Sequence, residues 1–266
     1  MKNILVTGAS GGMGSAVCHL FAKQGYRVWG LDRTEKEPLP GVHFIRTDLT
    51  STESVASAFA EIAAETDTID AIVHMAGIYD LNSLVEMPED AFTRIFEINL
   101  FGVYRINKAF MPLLKAGSRV IITTSELAPL NPLPFTGIYG ITKTALEKYA
   151  FSLRMEFNLL GIQVSVIRPG AVTTGLLNDS TDALTAFCGN TSLYTCNAER
   201  FRHIVDSVEA RSVAPEKIAK VVYNAVSAKH PRYVYCKNRN PLLLLLSALP
   251  DRLQGMVIKR LLRKDT

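Results

Sequence analysis

Thr7-Gly8-Ala9-Ser10-Gly11-Gly12-Met13-Gly14 separates a run of strand-forming residues, Asn3 to Thr7, from an amphipathic helical stretch, Gly14 to Gln24. Gly8 permits a tight turn, and Gly12 and Gly14 let backbone and helix approach closely, so that free N–H groups at the helix start face a pyrophosphate. Ser10 and Met13, within the same turn, count with the glycines as cofactor contacts. A second strand, Arg27 to Leu31, leads to Asp32, about twenty residues beyond the turn, where a carboxylate accepts hydrogen bonds from adenosine ribose hydroxyls. The same carboxylate repels a 2′-phosphate, which favours NAD(H) over NADP(H), while the neighbouring Arg33 can hold a phosphate and leaves NADP(H) open.

Outward from this unit the pattern repeats. Runs at Val42 to Arg46, Ala71 to His74, Arg119 to Thr123, Gln163 to Ile167 and Arg232 to Tyr235 read as buried parallel strands, rich in Val, Ile and Leu. Helical stretches alternate with them at Ser54 to Glu65, Asp90 to Leu114, Tyr139 to Leu160 and Pro215 to Ala228, so the expected fold is α/β, a doubly wound seven-stranded parallel sheet with helices on both faces. With 266 residues, 48% of them apolar, the chain can bury one sizeable core. Residues 1–240 are read as one domain, and residues 241–266 as an amphipathic C-terminal extension. Residues 171–212 lack clear periodicity; they follow the sixth strand, and ligands in such sheets bind beyond the carboxyl ends of strands, so this segment is read as a substrate loop.

The 29 basic and 25 acidic residues are too balanced to imply a nucleic-acid partner. Lys259, Arg260, Arg263 and Lys264 crowd the C-terminus beside Leu261 and Leu262, as in a solvated helix end or a segment lying on a membrane. The longest apolar run, Leu242 to Leu246, is far short of the ~20 residues that cross a bilayer. Cys18, Cys188, Cys196 and Cys236 lack metal-ligand spacing, so no metal is expected, and a reducing, cytoplasmic setting fits their number and the absence of a signal pattern.

The glycine spacing, Thr7-Gly8 with Gly12 and Gly14, resembles that of the short-chain dehydrogenase/reductase family, whose single-domain members have a Rossmann-type fold. Asp48-Leu49 after the third strand is similar to the family's adenine-contacting Asp, and Ala76-Gly77 to the end of its Asn-Asn-Ala-Gly motif, although here it reads His74-Met75-Ala76-Gly77. His74 receives no catalytic role. Asn99 in Ile98-Asn99-Leu100 resembles the active-site Asn, and Pro169-Gly170-Ala171-Val172-Thr173-Thr174 the segment beside the nicotinamide, which implies cofactor contacts at Pro169, Gly170, Val172 and Thr174.

Tyr139-Gly140-Ile141-Thr142-Lys143 matches the family's Tyr-x-x-x-Lys, and residues four apart share one helix face. A phenol titrates near ~10, too high for an efficient base at neutral pH, and a neighbouring ammonium at Lys143 is expected to lower it. The resemblance implies that Tyr139 is the acid/base, that Lys143 also binds the nicotinamide ribose, that Ser125 fixes the substrate oxygen, and that Asn99 holds a water in a proton relay. Ser125 precedes Tyr139 by one or two residues more than the family pattern, which the prolines between them can accommodate in a longer loop; Thr124 is the runner-up, and Glu126 is read as touching a polar substrate group.

Leu133, Phe135, Leu176 and Leu177, with Leu184, Phe187, Leu193, Tyr194 and Phe201, supply apolar surface for a pocket or a lid. This favours a bulky apolar alcohol or ketone such as a steroid, a retinoid or another lipid, and the segment around residues 126–160 is similar to the steroid- and retinol-oxidising branch. The apolar stripe of the tail must be buried by the pocket, a partner subunit or a membrane. The family resemblance implies a homodimer or homotetramer. A non-catalytic NAD-binding regulator is the alternative function, against which Ser125, Tyr139 and Lys143 argue.

Overall fold

A computed structural model of the chain describes residues 1–34, 38, 40–209 and 211–263, with the side chains of 176–181, 196 and 206–209 outside that description. Seven strands, β1 (Asn3–Thr7), β2 (Arg27–Asp32), β3 (Val42–Arg46), β4 (Ala71–His74), β5 (Arg119–Thr123), β6 (Gln163–Pro169) and β7 (Val234–Lys237), form one sheet in the order β3-β2-β1-β4-β5-β6-β7. Every pairing is parallel, with Leu5 opposite Trp29 on one side of β1 and opposite Ile72 on the other.

Successive side chains of a strand point to opposite faces, and the two faces need separate helical covers. Leu5, Ile72, Val120, Ile122 and Val164 pack with Val55 and Ile62 of α2 (Thr52–Glu65), with Val103, Ile106 and Phe110 of α4 (Gly102–Phe110), and with Leu146, Ala150 and Leu153 of α5 (Gly137–Asn158). Their neighbours Ile4, Val6, Val73 and Ile121 pack on the other face, with Val17, Cys18 and Phe21 of α1 (Gly12–Lys23) and with Ile218, Ala219 and Val222 of α8 (Pro215–Ser227). Alternation along single strands therefore builds both layers.

Several elements depart from the sequence reading. The single helix expected over Asp90 to Leu114 is broken into α3 (Glu89–Phe96), a π turn at Glu97–Phe101, α4, and a 3-10 turn at Met111–Leu113. The π turn widens the ladder by one residue, with Gly102 N–H donating to Glu97 O, and Pro112 removes a donor from the last turn. The aperiodic segment over 171–212 folds as α6 (Gly175–Asn190) and α7 (Thr195–Glu209). Leu184, Phe187, Ala198 and Phe201 of these helices gather with Leu81, Phe135 and Leu262 in a small core of their own. The sequence does carry a signal for α7, since Ala198, Phe201, Ile204 and Val205 recur at helical spacing. β7 also lies two residues later than expected.

The tail forms two helices, α9 (Pro241–Ser247) and α10 (Asp251–Leu262), because Pro250 ends the first run and caps the second. Gln254, Ile258 and Leu262, four residues apart, share one face of α10; Leu262 and Ile258 join the small core beside α7, and Asn197 Nδ2 donates to Leu262 O at 2.6 Å. A second stripe, Leu253, Met256, Val257 and Leu261, is exposed. The tail thus folds back over the site. No helix among the described residues is long and apolar enough to cross a membrane. Lys264 lies outside the described residues.

Candidate active site

At the end of β1 the chain turns through Gly8 at φ 68°, where a Cβ would come within 2.6 Å of Ala76 N. A Cβ on Gly14 would stand 1.9 Å from Gly8 O, so α1 begins in contact with the turn that precedes it. Gly12 is similarly closed in, with Thr174 Cγ2 2.8 Å from where its Cβ would be, which sets the start of α6 against the start of α1. Asp32 reaches across from β2: Oδ2 accepts Ser10 N–H at 3.0 Å and Oδ1 accepts Arg33 N–H at 2.7 Å. Asp48 Oδ1 accepts from Thr50 N–H at 2.9 Å and from its hydroxyl at 2.7 Å, and these bonds hold the carboxyl below its ordinary range, with smaller help from Arg33 and Arg105. Leu49 turns inward, packs on the core, and gives its carbonyl to Arg105.

This arrangement fits a dinucleotide. The first N–H groups of α1 have no acceptor within the helix, the acidic Asp32 stands where ribose hydroxyls need an acceptor, and the cleft continues from Met13 past Gly77 to Tyr139. Gly77 leaves only enough space for its neighbours, since a Cβ there would lie 3.2 Å from Asn99 Oδ1 and 3.4 Å from Lys143 Nζ. Gly170 is held by its N–H to Lys237 O at 2.8 Å, and a side chain is excluded by Asn238 O. Val172 pairs in a parallel bridge with Val213, and Thr174 Oγ1 donates to Val172 O at 3.4 Å.

Tyr139 and Lys143 sit one turn apart on α5, both buried. The ammonium of Lys143 is 5.6 Å from the Tyr139 ring centre and donates to Thr123 O at 3.2 Å. Burial pushes the Tyr139 phenol up to about 12, against which the Ser125 hydroxyl works by hydrogen bonding, while the negative charge of Glu126 adds to the rise. Lys143 is not among the causes acting on the phenol, and burial pushes Lys143 itself down to about 8, so its own charge is costly to keep.

Ser125, rather than Thr124, meets Tyr139. Thr124 Oγ1 is turned to Ile167 O at 3.3 Å. The longer spacing from Ser125 to Tyr139 is taken up by turns at Ala128 and Leu130, whose N–H groups reach back to Ser125 O and Leu127 O, and by Phe135 at φ 65°. Phe135 itself is not in the pocket wall. Its ring lies 4.6 Å from Phe187 and 5.4 Å from Phe201, in the small core behind the wall, because its left-handed backbone directs the side chain there. The side chain of Asn99 is held on three sides. The π turn buries it fully, and its amide accepts Ile78 N–H at 2.8 Å and donates to Ile78 O at 2.9 Å and Thr142 Oγ1 at 3.2 Å, so the side chain braces the Ala76-Gly77 loop.

These groups converge on a pocket of about 200 Å³. Ser125, Tyr139 and Lys143 form its polar end with Glu126, and Leu133 lines it as expected. The side chains of Leu176 and Leu177 lie outside the described residues. Ile78, Tyr79, Leu127, Ile204, Val205 and Leu243 line it as well, and sequence reasoning did not assign them. Tyr79 stacks on Tyr139 with ring centres 4.5 Å apart, a contact that its place two residues after Gly77 gave some signal of; Leu243 is far from the site in sequence and arrives only because α9 folds back.

The model of the family described as short chain dehydrogenase matches residues 2–185. The chain belongs to that family. As a short-chain dehydrogenase it is an NAD(P)(H)-binding oxidoreductase that interconverts alcohol and ketone. Among its relatives is a 3-ketodihydrosphingosine reductase of Bacteroides thetaiotaomicron, 27% identical over 96% of this chain and 96% of that protein. Another is an NADPH-dependent 3-dehydrocapnine reductase of Ornithobacterium rhinotracheale, 26% identical over 100% of this chain and 99% of the relative. The fold is shared with a short chain dehydrogenase family protein from Francisella tularensis, at a TM-score of 0.75 and 22% identity, over 89% of this chain and 96% of that one.

His74 takes the place of a family Asn and is fully buried, with Nε2 2.9 Å from Asn107 Oδ1; Asn107 in turn donates to Tyr149 Oη at 3.1 Å. Burial pushes His74 down to about 4. An unfolded histidine titrates near ~6.5, so the unfolded chain binds the extra proton between that value and about 4. Stability contributed by neutral His74 is thus complete above ~6.5 and is lost as pH falls through this window. His74→Asn should remove that part of the acid sensitivity: thermal unfolding of wild type and variant should diverge between neutral pH and pH 5, and parallel curves would refute the assignment.

Proposed function

We propose that the protein reduces the ketone of a lipid with NADH, with Tyr139 as the proton donor. The observation that carries this reading is the pocket itself, where Phe201, Ile204, Val205 and Leu243 enclose apolar space that ends on Ser125 and Tyr139. A relative named for reducing 3-ketodihydrosphingosine supports a keto lipid over a sugar or a small alcohol.

The bound dinucleotide supplies the hydride. Ser125 holds the carbonyl oxygen, and Tyr139 Oη gives it the proton that completes the alcohol. A phenol pushed up to about 12 is protonated throughout the neutral range, the form that donates a proton to a ketone. Lys143, between Thr123 O and the Gly77 backbone, is placed for the nicotinamide ribose. The amide of Asn99 keeps the Ile78 backbone in position beside this lysine.

Tyr139→Phe should lower turnover by at least ~10²-fold while NADH affinity, measured by fluorescence titration, stays nearly constant. In the wild type, oxidation needs the phenolate and should accelerate with rising pH, whereas reduction should not. Unchanged turnover in the variant, or an oxidation rate independent of pH, would end this mechanism.

The preference for NADH rests on Asp32, whose carboxylate is pinned to the Ser10 N–H at the ribose end and opposes a 2′-phosphate. The 3-dehydrocapnine reductase is NADPH-dependent by name, so the choice is one that this chain's own residues make. Asp32→Ala should weaken NADH more than NADPH; equal weakening of both in titrations would remove Asp32 from the ribose site.

Two of the exposed apolar faces among the described residues bear on assembly. Phe101, Tyr104, Phe151 and Met155 on α4, α5 and the π turn suit a homodimer, and the outer stripe of α10, Leu253, Met256, Val257 and Leu261 with Arg252, Lys259 and Arg260 close by, suits an anionic bilayer surface. A Met256→Glu, Leu261→Glu variant should keep a dimeric mass in light scattering and lose sedimentation with phosphatidylglycerol vesicles. Wild-type protein that fails to sediment, or a monomeric mass, would overturn the corresponding half of this reading.

A further inference from the structure

Glu126 follows Ser125 directly at the end of β5, and its N–H donates to Pro169 O at 2.9 Å, so its backbone is fixed between the catalytic strand and the segment beside the nicotinamide. The side chain is 7% exposed and lies in the wall of the pocket. Its two oxygens have different surroundings. Oε2 accepts the N–H of Asn240, the capping residue of α9, at 2.6 Å. Oε1 accepts a hydrogen bond from no described residue and lies 2.9 Å from where a Cβ on Gly170 would sit, so glycine at 170 is what leaves space for it.

A buried carboxylate is costly unless its charge is matched. The N–H of Asn240 and the nearby positive charge of Arg239 offset part of that cost, yet burial still dominates and raises the carboxyl. Fastening α9 does not require a charge, because a neutral amide oxygen would accept the same Asn240 N–H. An entirely apolar substrate would gain nothing from an acid at this point and would be left facing an unmatched polar oxygen. The carboxylate is next in sequence to the serine that holds the reacting oxygen, and its charge is felt at Tyr139.

We propose that Glu126 Oε1 receives an ammonium group carried on the carbon next to the reacting carbonyl, which makes the substrate class long-chain 2-amino ketones. The ammonium completes the hydrogen bonding of Oε1, matches the buried charge, and fixes which way round the ketone lies against Ser125, while the alkyl chain extends along Phe201, Ile204 and Leu243. Only this pairing distinguishes the amino ketone from a ketone of equal length. A site built to bind a polar group rejects the analogue that lacks it, because its own polar atom is then unpaired.

The inference rests on the reading of the chain as a lipid ketone reductase. It is tested by following NADH consumption with a long-chain 2-amino-3-ketone and with the matching 3-ketone that has no amine, in wild type and in Glu126→Gln. Wild type should prefer the amino ketone in kcat/KM, and the ratio of the two kcat/KM values should fall about 10- to 100-fold in the variant, the range for one hydrogen bond to a charged group. If Glu126 only fastens α9, the two substrates respond alike in the variant and the ratio stays put, which overturns the proposal. Reduction of the amine-free ketone with no preference for the amino ketone in wild type overturns it too, while leaving the lipid ketone reading in place. Reduction of neither ketone by wild type overturns that reading and this inference together. Thermal-shift titration of both proteins with a long-chain 2-amino alcohol gives a readout independent of turnover: the stabilisation by the amine should be smaller in Glu126→Gln, and equal shifts would refute the contact.

Discussion

The chain that leaves β1 passes to one face of the sheet and the chain that leaves β4 passes to the other, and the crevice opened between them is the constraint on which the site depends. Closing the distance on the β1 side requires glycine, because α1 starts so near its own turn that Gly14 faces Gly8 O with no space for a Cβ. On the β4 side it requires Asn99, whose amide ties the Ile78 backbone in both directions and holds Gly77 against Lys143. Sheet order supplies the opening, and these contacts set its width.

Around that opening the protein places ionisable groups where charge is expensive. Tyr139, Lys143, Glu126 and His74 are all buried, and burial drives each toward its neutral form. Strongly shifted groups that converge in a cleft mark a working site more often than a structural one. His74 differs from the others: it faces Asn107 on the far side of β4, outside the pocket, and belongs to the packing that supports the sheet. The same physical cause thus acts on one set of groups that faces the pocket and on a histidine that faces the packing.

A second, smaller core lies behind one wall of the pocket. Phe135, Phe187 and Phe201 stack with Leu184 and Leu262, joining the loop after β5, the helices after β6 and the last helix of the chain. Substrate walls therefore come from three distant parts of the sequence, and the tail that contributes Leu243 to the pocket also carries the Asn240 N–H that engages Glu126.

How much of this could be read in advance follows from the range of the interactions. The sequence by itself determined the parallel sheet, since a buried strand is a short local run of apolar residues, and it determined the glycine turn, Asp32 and the Tyr139–Lys143 pair, since each rests on spacing within one turn or one βα unit. The break in the expected helix at Glu97–Phe101 was not legible, because an i to i+5 hydrogen bond leaves no mark in the spacing of apolar residues, whereas α7 was legible in the spacing of Ala198, Phe201, Ile204 and Val205 and was overlooked among polar neighbours. Tertiary structure alone decided that Ser125 rather than Thr124 meets Tyr139, that Phe135 turns away from the pocket, and that burial raises the phenol. Each of these depends on which atoms surround a group in three dimensions, and desolvation has no signature in the order of residues.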